Sequence, residues 1–312
     1  MFGTLRFILS LLVVITHIGI DFINVIPGAI AVPIFFALSG YLMAKNYETR
    51  FRLNKINFYL ERVLRIFPQY LIYLFLFYLI LFGFGDAKLN LLTFISLLLN
   101  LSLIPLGLFE FNRDFFGLYP ILSPNPPLWS LGVEFQLYLL VPFLITKIRY
   151  SLFLFSLIIF IAGWLIGDDR VYFVLPGNIF LFITGIMLWY KDKLFLDKQF
   201  IKISQFLFPL LAILMFCFHQ KTEFVKEVAI GECLSIWLIE CLKDKDYRNI
   251  IDKYLGNLSY GIFLNHTMLI FLTGKFIAKE YSILAIIISS IFLAMVTGKI
   301  DEKVSRWKNK MI

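Results

Sequence analysis

The sequence contains little cysteine, little histidine and few charged residues. Cysteine and histidine each occur 3 times among 312 residues, and charged residues make up 16% of the chain. Cys217, Cys233 and Cys241 lie in apolar stretches without a CxxC pair, so we predict buried free thiols and neither a disulfide framework nor a bound metal. A Gly-rich phosphate loop, an HExxH motif, an internal repeat and a low-complexity tract are also missing. The sequence therefore gives no support to P-loop, zinc-protease or repeat architectures.

Apolar residues are correspondingly abundant. They are 60% of the chain, against about 45–50% in soluble domains, and they form long continuous runs without alternation. Such runs predict membrane-spanning helices, so we predict an all-α, polytopic membrane protein with a single domain over residues 1–312. The first apolar run has no basic cluster before it and no small-residue cleavage site after it. We therefore expect an uncleaved helix rather than a signal peptide.

The surplus of positive charge, +8 at pH 7, indicates how the chain is oriented. Lys and Arg concentrate in loops on the cytoplasmic side of a membrane, and both the 45–65 loop and the tail after residue 299 are basic. Short basic loops of this kind contact lipid headgroups and do not indicate a nucleic-acid interface. The apolar segments to be placed lie near residues 4–20, 29–45, 67–85, 88–107, 127–147, 151–167, 173–190, 203–218, 224–242, 254–274 and 281–299.

Segment 88–107 decides the number of spans. If it crosses the membrane, the basic loops fall on alternating sides, whereas all of them fall inside if it does not. We therefore predict about ten transmembrane helices with both termini cytoplasmic. Residues 86–126 then form an excursion on the outer side, in which 88–107 is a re-entrant or interfacial helix. Asn100, Pro105 and Gly107 are typical of such an interrupted helix.

An arginine and a histidine lie inside the first apolar segment. Arg6 and His17 are about three helical turns apart, which brings His17 to within about 20° of Arg6 and about 16 Å further along the axis. A charged side chain near the centre of a membrane helix costs about 2.5–3.5 kcal/mol, so the pair is a candidate site. The alternative is that Arg6 reaches the membrane interface and His17 bonds a neighbouring carbonyl.

Two further patches place polar residues beside apolar runs. Gly40 permits close approach of two helix backbones, and packing alone would also explain Ser39-Gly40. Arg62 and Arg65 are three residues apart, so they project from one side of a helix. Paired guanidinium groups suit phosphate oxygens, although an ordinary positive-inside anchor gives the same pattern.

The later part of the chain carries two polar stripes. Ser130, Glu134 and Tyr138 follow each other at intervals of four residues and lie along one helix face. A glutamate this close to an apolar run is rare unless it is paired. Ser259 and His266 are seven residues apart and also share a face, where His266 is either a functional group or a satisfied intramembrane histidine.

In this order, the motifs resemble those of the acyltransferase-3 family of bacterial membrane acyltransferases. That family shows an arginine and a histidine in its first helix, then FFxxSG(F/Y), RxxRIxP and WSLxxE segments, and a late LGxxSYxxYLxH helix. The matching positions are Arg6 and His17, Phe35–Tyr41, Arg62–Pro68, Trp129–Tyr138 and Leu255–His266. These motifs span nearly the whole chain, and their common order is much more specific than any one of them.

Two departures from the family pattern concern acidic residues. The stretch Val32–Phe36 lacks the aspartate of the common GVDxFF, and Phe135 stands where a second acidic residue often follows Glu134. The acidic role therefore rests on Glu134 alone. We expect no fused SGNH hydrolase-like domain after the last helix, so resemblance to the fused members does not by itself assign their functions to this chain.

The resemblance implies transfer of an acyl group, usually acetyl from acetyl-CoA, to a hydroxyl of an envelope carbohydrate such as O-antigen, capsule or exopolysaccharide. It implies a multi-pass protein of the bacterial cytoplasmic membrane. The expected partners are acyl-CoA, membrane lipids and an acceptor that can be lipid-linked; no permanently bound cofactor and no nucleic acid are expected. Amino-group or glycerolipid acceptors stay open. The alternative class is a polytopic transporter or flippase of envelope glycoconjugate precursors, although the repeat symmetry of transporters is missing.

The resemblance also suggests roles for individual residues. Histidine suits the activation of a hydroxyl near neutral pH, so His17 is the candidate base or transient acyl carrier. Glu134 is the candidate to orient its imidazolium, and Arg6 the candidate to stabilise an oxyanion or hold a donor phosphate. The candidate contacts for the phosphates of coenzyme A, which would act as a substrate, are Arg62, Arg65 and Arg6. The candidate substrate-binding or supporting residues are Ser39, Trp129, Ser130, Tyr138, Ser259 and His266.

Overall fold

The described part of the chain is all-helical. The computed structural model describes residues 1–20, 25–84, 90–111, 126–146, 150–166, 169–190, 210, 225–245, 250–276 and 279–311, and these contain no strand. The predicted all-α class is therefore confirmed. The helices, in chain order, are α1 (Phe2–His17), α2 (Pro27–Asn46), α3 (Lys55–Phe84), α4 (Leu91–Leu101), α5 (Leu106–Phe111), α6 (Trp129–Thr146), α7 (Tyr150–Ile166), α8 (Ile179–Tyr190), α9 (Val225–Leu242), α10 (Ile250–Phe276) and α11 (Lys279–Met311).

Several helices are long and apolar enough to cross a membrane. Among the described residues, 5 meet that description: Pro27–Phe51, Lys55–Phe84, Trp129–Thr146, Ile250–Phe276 and Ser282–Val304. Four apolar helices are shorter: Phe2–His17, Leu91–Leu101, Ser151–Ala162 and Ile179–Tyr190. Apart from residue 210, the predicted segment 203–218, with Cys217, lies outside the described residues. The arrangement of about ten spans with both termini cytoplasmic stays a prediction.

The prediction of a basic loop over 45–65 is wrong. α2 continues through one π-helical turn, Tyr47–Phe51, and α3 begins at Lys55, so only residues 52–54 connect the two helices. The first turns of α3 mix charged and apolar residues: Glu61 and Arg62 are buried beside Phe58, whereas Ile56 and Leu60 are exposed. A mixed stretch of this kind does not register as an apolar run, and the apolar segment at 67–85 therefore marks only the later part of α3.

Segment 88–107 is interrupted as expected. α4 and α5 are separated by residues 102–105, where Leu103 has a φ of 63°. α4 is polar inside and apolar outside: its exposed residues are large hydrophobics, whereas Ser96 and Asn100 are buried. Tyr70 donates to the backbone oxygen of Asn100 at 2.7 Å, and Tyr78 bonds Ser96 at 2.8 Å. This polarity suits a helix that faces lipid and is held by hydrogen bonds to α3; its re-entrant or interfacial position stays a prediction.

α1 and α10 pack side by side in parallel. Gly3 donates its N–H to Asp252, which is 249 residues further along the chain, and His17 meets His266 at the same offset. A Cβ on Gly256 would lie 2.9 Å from the Cα of Gly3, so the two backbones are in close contact at this end. Because the offset is constant, the last turn of α1 is brought to the middle of α10.

α2 is held against α8 by glycine. A Cβ on Gly40 would overlap the carbonyl oxygen of Phe182, and a Cβ on Gly185 would overlap that of Ala37. The close approach predicted at Gly40 is confirmed. It fixes α2 in the centre of the bundle, where Ser39 is 3% exposed.

Candidate active site

The structure contains a cavity of about 520 Å³ between α1, α2, α3, α6, α10 and α11. Its open end is marked by the exposed wall residues Arg65, Lys253, Asn257 and Glu302, and Phe263 lies deeper on the wall. Several residues that the sequence singled out meet on this wall, although they come from five helices. They are Arg6, Ser39, Arg65, Ser130, Glu134, Tyr138 and Ser259.

Glu134 is the carboxylate that this cavity positions most tightly. Ser39 Oγ and Tyr138 OH both donate hydrogen bonds to its Oε1 atom. Tyr138 reaches it from one turn further along α6, as the four-residue interval predicts, whereas Ser39 reaches it from α2. Glu134 is thus paired with two hydroxyl groups rather than with a histidine.

Two guanidinium groups on the wall lack acidic partners. Within the described part of the chain, neither Arg6 nor Arg65 has a carboxylate at ion-pair distance. Arg6 lies two residues after Thr4, whose N–H and hydroxyl donate hydrogen bonds to Asp252 at 2.8 and 2.7 Å. Cations in a cavity that have no carboxylate at ion-pair distance suit an anionic ligand.

Arg62 lies behind the cavity wall rather than on it. It is 2% exposed, forms an ion pair with Glu61 and stands 5.8 Å from the ring centres of Phe58 and Tyr138. Residues three apart on a helix differ by about 60° in direction, and the cavity edge falls between Arg62 and Arg65. The two predicted phosphate contacts are therefore not equivalent.

The two predicted histidines meet outside this wall. The ring centroids of His17 and His266 are 5.1 Å apart. His266 is fully buried, whereas His17 is exposed. Phe263 connects the two regions, because it lines the cavity and its ring centroid is 6.1 Å from that of His266. The Gly28 N–H of α2 donates to the hydroxyl of Thr16, the neighbour of His17, at 2.7 Å. Val32, which lines the cavity, lies about one helical turn further along α2.

The hydrogen bonds of the two rings fix their tautomers. His17 Nδ1 lies 2.8 Å from the carbonyl oxygen of Val13, and His266 Nδ1 lies 2.8 Å from that of Phe263. Since a carbonyl only accepts, each neutral ring carries its proton on Nδ1 and a lone pair on Nε2. Among the described residues, the Nε2 of His266 has no hydrogen-bond partner.

Trp129 is not on the cavity wall. It stands at the start of α6, where its ring centroid lies 4.7 Å from that of Tyr172 and 5.1 Å from that of Phe173.

Sequence reasoning missed Lys253, Asn257 and Tyr260, which line the cavity. Lys253 directly precedes the apolar segment near 254–274, where a lysine is typical of a basic loop as much as of a cavity wall. In the described residues, no group of three His, Cys, Asp or Glu could hold a metal ion.

The chain is thus a helical protein that has several helices apolar enough to cross a membrane and a cavity with cationic side chains on its wall. The sequence model of the acyltransferase-3 family, described as an acyltransferase domain, matches residues 2–299. The chain therefore belongs to the acyltransferase-3 family, as its motifs predict.

Named relatives agree with this assignment. The O-acetyltransferase OatA of Staphylococcus aureus (strain NCTC 8325) is 25% identical over 329 positions, which cover 91% of this chain and 52% of OatA. YrhL of Bacillus subtilis (strain 168), a candidate peptidoglycan O-acetyltransferase, is 26% identical over 309 positions, which cover 86% of this chain and 48% of YrhL. An uncharacterised protein of Aquifex aeolicus is 29% identical over 183 positions, which cover 55% of this chain and 79% of that protein. The chain thus spans about half the length of OatA and YrhL. No solved structure matches it.

Proposed function

We propose that this chain transfers an acetyl group from acetyl-CoA to a hydroxyl group of a cell-envelope carbohydrate, in the bacterial cytoplasmic membrane. The observation that carries the proposal is the cavity, whose wall carries the exposed Arg65 together with Arg6, Glu134 and Phe263, the last of which packs against His266. The names of OatA and YrhL support O-acetyl transfer. The acyl-CoA donor and the carbohydrate acceptor, lipid-linked or free, rest on the family resemblance and on this geometry.

The donor enters from the open end. Acetyl-CoA carries its phosphates at one end of a long pantetheine arm and its thioester at the other. With the phosphates at Arg65, the arm follows the cavity past Arg6 and carries the thioester towards Phe263. Arg62 lies behind Tyr138 and acts on the phosphates only through the field of its charge. This arrangement uses the two guanidinium groups that have no carboxylate at ion-pair distance among the described residues.

His17 is the proposed general base. Its Nδ1 proton is committed to the Val13 carbonyl, so its Nε2 lone pair is free to accept a proton. The acceptor oxygen bonds to the thioester carbonyl carbon while its proton passes to Nε2; the carbon–sulfur bond then breaks and the proton passes to the leaving thiolate. The products are the acetyl ester and coenzyme A.

Glu134 and Arg6 support the chemistry from the cavity. Glu134 accepts its hydrogen bonds from Ser39 and Tyr138, and we therefore assign it to charge balance with Arg6 rather than to orienting His17. Arg6 stabilises the negative charge that develops on the thioester oxygen or holds a donor phosphate, which are the two tasks for which a fixed cation on this wall is suited.

Release of coenzyme A tests the proposal. Purified protein in vesicles, supplied with acetyl-CoA and a carbohydrate fraction from the envelope, should release free thiol and transfer labelled acetyl to carbohydrate. Mass spectrometry of surface glycans from a deletion strain and its parent identifies the acceptor. A transporter would bind glycoconjugates without cleaving the thioester. Unchanged glycans together with no thiol release would refute the proposed function.

A further inference from the structure

One face of α10 forms a continuous wall of the cavity. Lys253, Gly256, Asn257, Tyr260 and Phe263 all line it. Gly256 and Asn257 share one turn, and the steps from Lys253 to this turn, on to Tyr260 and on to Phe263 are three or four residues each, so these positions lie along one stripe of the helix. The stripe begins at the open end of the cavity and ends next to His266, which bonds the Phe263 carbonyl.

The chemistry of this stripe changes from one end to the other. Lys253 is charged and exposed, Asn257 offers an exposed amide, and Phe263 is apolar and buried. Lys253 and Phe263 are about 15 Å apart along the helix axis. A coenzyme A thioester has the same order of groups: phosphates, then an arm with two amides, then an uncharged thioester.

The position of Lys253 is fixed by its neighbour in the chain. Asp252 accepts hydrogen bonds from the backbone N–H groups of Gly3 and Thr4 at 3.2 and 2.8 Å. The first turn of α10 is therefore tied to the first turn of α1, and Lys253 is held at the open end. Among the described residues, Lys253 has no carboxylate at ion-pair distance. Glu302 is an acidic wall residue at this end, and its charge limits how much anion the site can hold.

We infer that Lys253 is the outermost phosphate contact of the donor and makes the site prefer coenzyme A thioesters to shorter thioesters without phosphates. The inference rests on the proposed acetyl-CoA donor. Lys253 extends beyond the level of Arg6, because Asp252 already bonds residues that precede Arg6 in α1. The phosphates of the donor thus meet Lys253 and Arg65 at the open end, while the arm reaches past Arg6.

Equilibrium binding tests Lys253 without requiring turnover. Dissociation constants for coenzyme A and for pantetheine, which has the arm without phosphates, are measured on the full chain in phosphatidylcholine nanodiscs. Lys253→Gln should weaken coenzyme A binding about tenfold, as expected for loss of one charged contact, and should leave pantetheine binding unchanged. Lys253→Arg should recover most of the affinity. Added salt should reduce the difference between wild type and Lys253→Gln.

Lys245→Gln is the matched control, because Lys245 is exposed and is not on the cavity wall. It should leave both dissociation constants unchanged. The inference is overturned if Lys253→Gln leaves coenzyme A binding unchanged, as it would if Lys253 contacted only lipid phosphate, or if both ligands weaken equally. Acetyl transfer by the wild-type protein is measured in parallel. Absence of transfer with normal, Lys253-dependent binding of coenzyme A counts against the proposed function and not against the Lys253 contact.

Discussion

The two ends of the parallel pair α1 and α10 are built differently. At the open end of the cavity, Asp252 accepts hydrogen bonds of 2.7 to 3.2 Å from Gly3 and Thr4, and glycine backbones touch. At the other end, His17 and His266 face each other through their rings. Each histidine bonds a carbonyl of its own helix, so the described contacts at this end include no hydrogen bond between the two rings.

This difference suggests that the Asp252 end positions the two helices and that the histidine end takes part in the reaction. The polar atoms at the Asp252 end are satisfied by each other, which fixes the register of the two helices. A buried nitrogen without a partner, like Nε2 of His266, costs about 1–3 kcal/mol. A fold that keeps such an atom beside an exposed imidazole gains no stability from it. We therefore expect substitutions at the Asp252 end to act on stability and donor binding, and substitutions at the histidine end to act on the reaction.

Removing the base should have the largest effect. His17→Gln keeps a polar side chain but removes the proton acceptor, and we expect acetyl transfer to fall by about 10²–10⁴-fold, measured as release of coenzyme A. Thermal unfolding of the purified variant should stay close to that of the wild type, because His17 is exposed. His219→Gln is the control, because it makes the same change at a histidine that falls between the apolar segments 203–218 and 224–242 and belongs to none of the family motifs. Near-wild-type transfer by His17→Gln would remove His17 from the reaction.

A methyl group added at Gly3 should disrupt the Asp252 end of the helix pair, where the backbones of α1 and α10 touch. In Gly3→Ala, the new Cβ would overlap the carbonyl oxygen of Asp252. We expect a loss of about 1–3 kcal/mol in stability, seen as a lower unfolding temperature, together with weaker coenzyme A binding. Gly274→Ala on the same α10 is the control because its Cβ would meet nothing within 4 Å, and it should be neutral or stabilising. Equal behaviour of the two variants would show that the contact does not hold the helices.

Local patterns predicted much of this site. The interval between Glu134 and Tyr138 is one helical turn, and the two side chains do bond. Ser39-Gly40 predicted a close backbone contact, and one exists. Periodicity and small residues act within one helix or at its surface, and this is why a single sequence reveals them. Membership of the acyltransferase-3 family could likewise be predicted, because its motifs are local.

Other features depend on how distant helices are aligned, which no local pattern encodes. The pairing of His17 with His266 requires the constant offset between α1 and α10. The separation of Arg62 from Arg65 depends on where the cavity edge falls on α3. The sequence does not mark Lys253 as a cavity residue, because a lysine just before an apolar segment gives the same signal whether it anchors the helix at the membrane surface or lines a cavity.

Removing the charge of Asp252 should have a smaller effect than Gly3→Ala. Asp252→Asn keeps an oxygen that can accept from Thr4 but loses the charge near the start of α1. We expect a loss of about 0.5–2 kcal/mol, the range found when a helix N-cap is weakened, measured by thermal unfolding. Coenzyme A binding should weaken while the rate with saturating acetyl-CoA changes little. A fall in that saturated rate with normal binding would place Asp252 in the reaction rather than in positioning.

Replacing the buried imidazole of His266, at the histidine end of the helix pair, should change stability least. His266→Phe fills nearly the same space; it loses the hydrogen bond to the Phe263 carbonyl, worth about 0.5–1.5 kcal/mol, but also removes the unpaired Nε2, which costs about 1–3 kcal/mol. The two effects oppose each other, so the unfolding temperature should stay the same or rise slightly. Acetyl transfer should nevertheless fall, because the ring next to His17 no longer carries a lone pair. A variant that is clearly less stable, or one that is fully active, would mean that His266 serves packing and that the two ends of the helix pair do not differ as we argue.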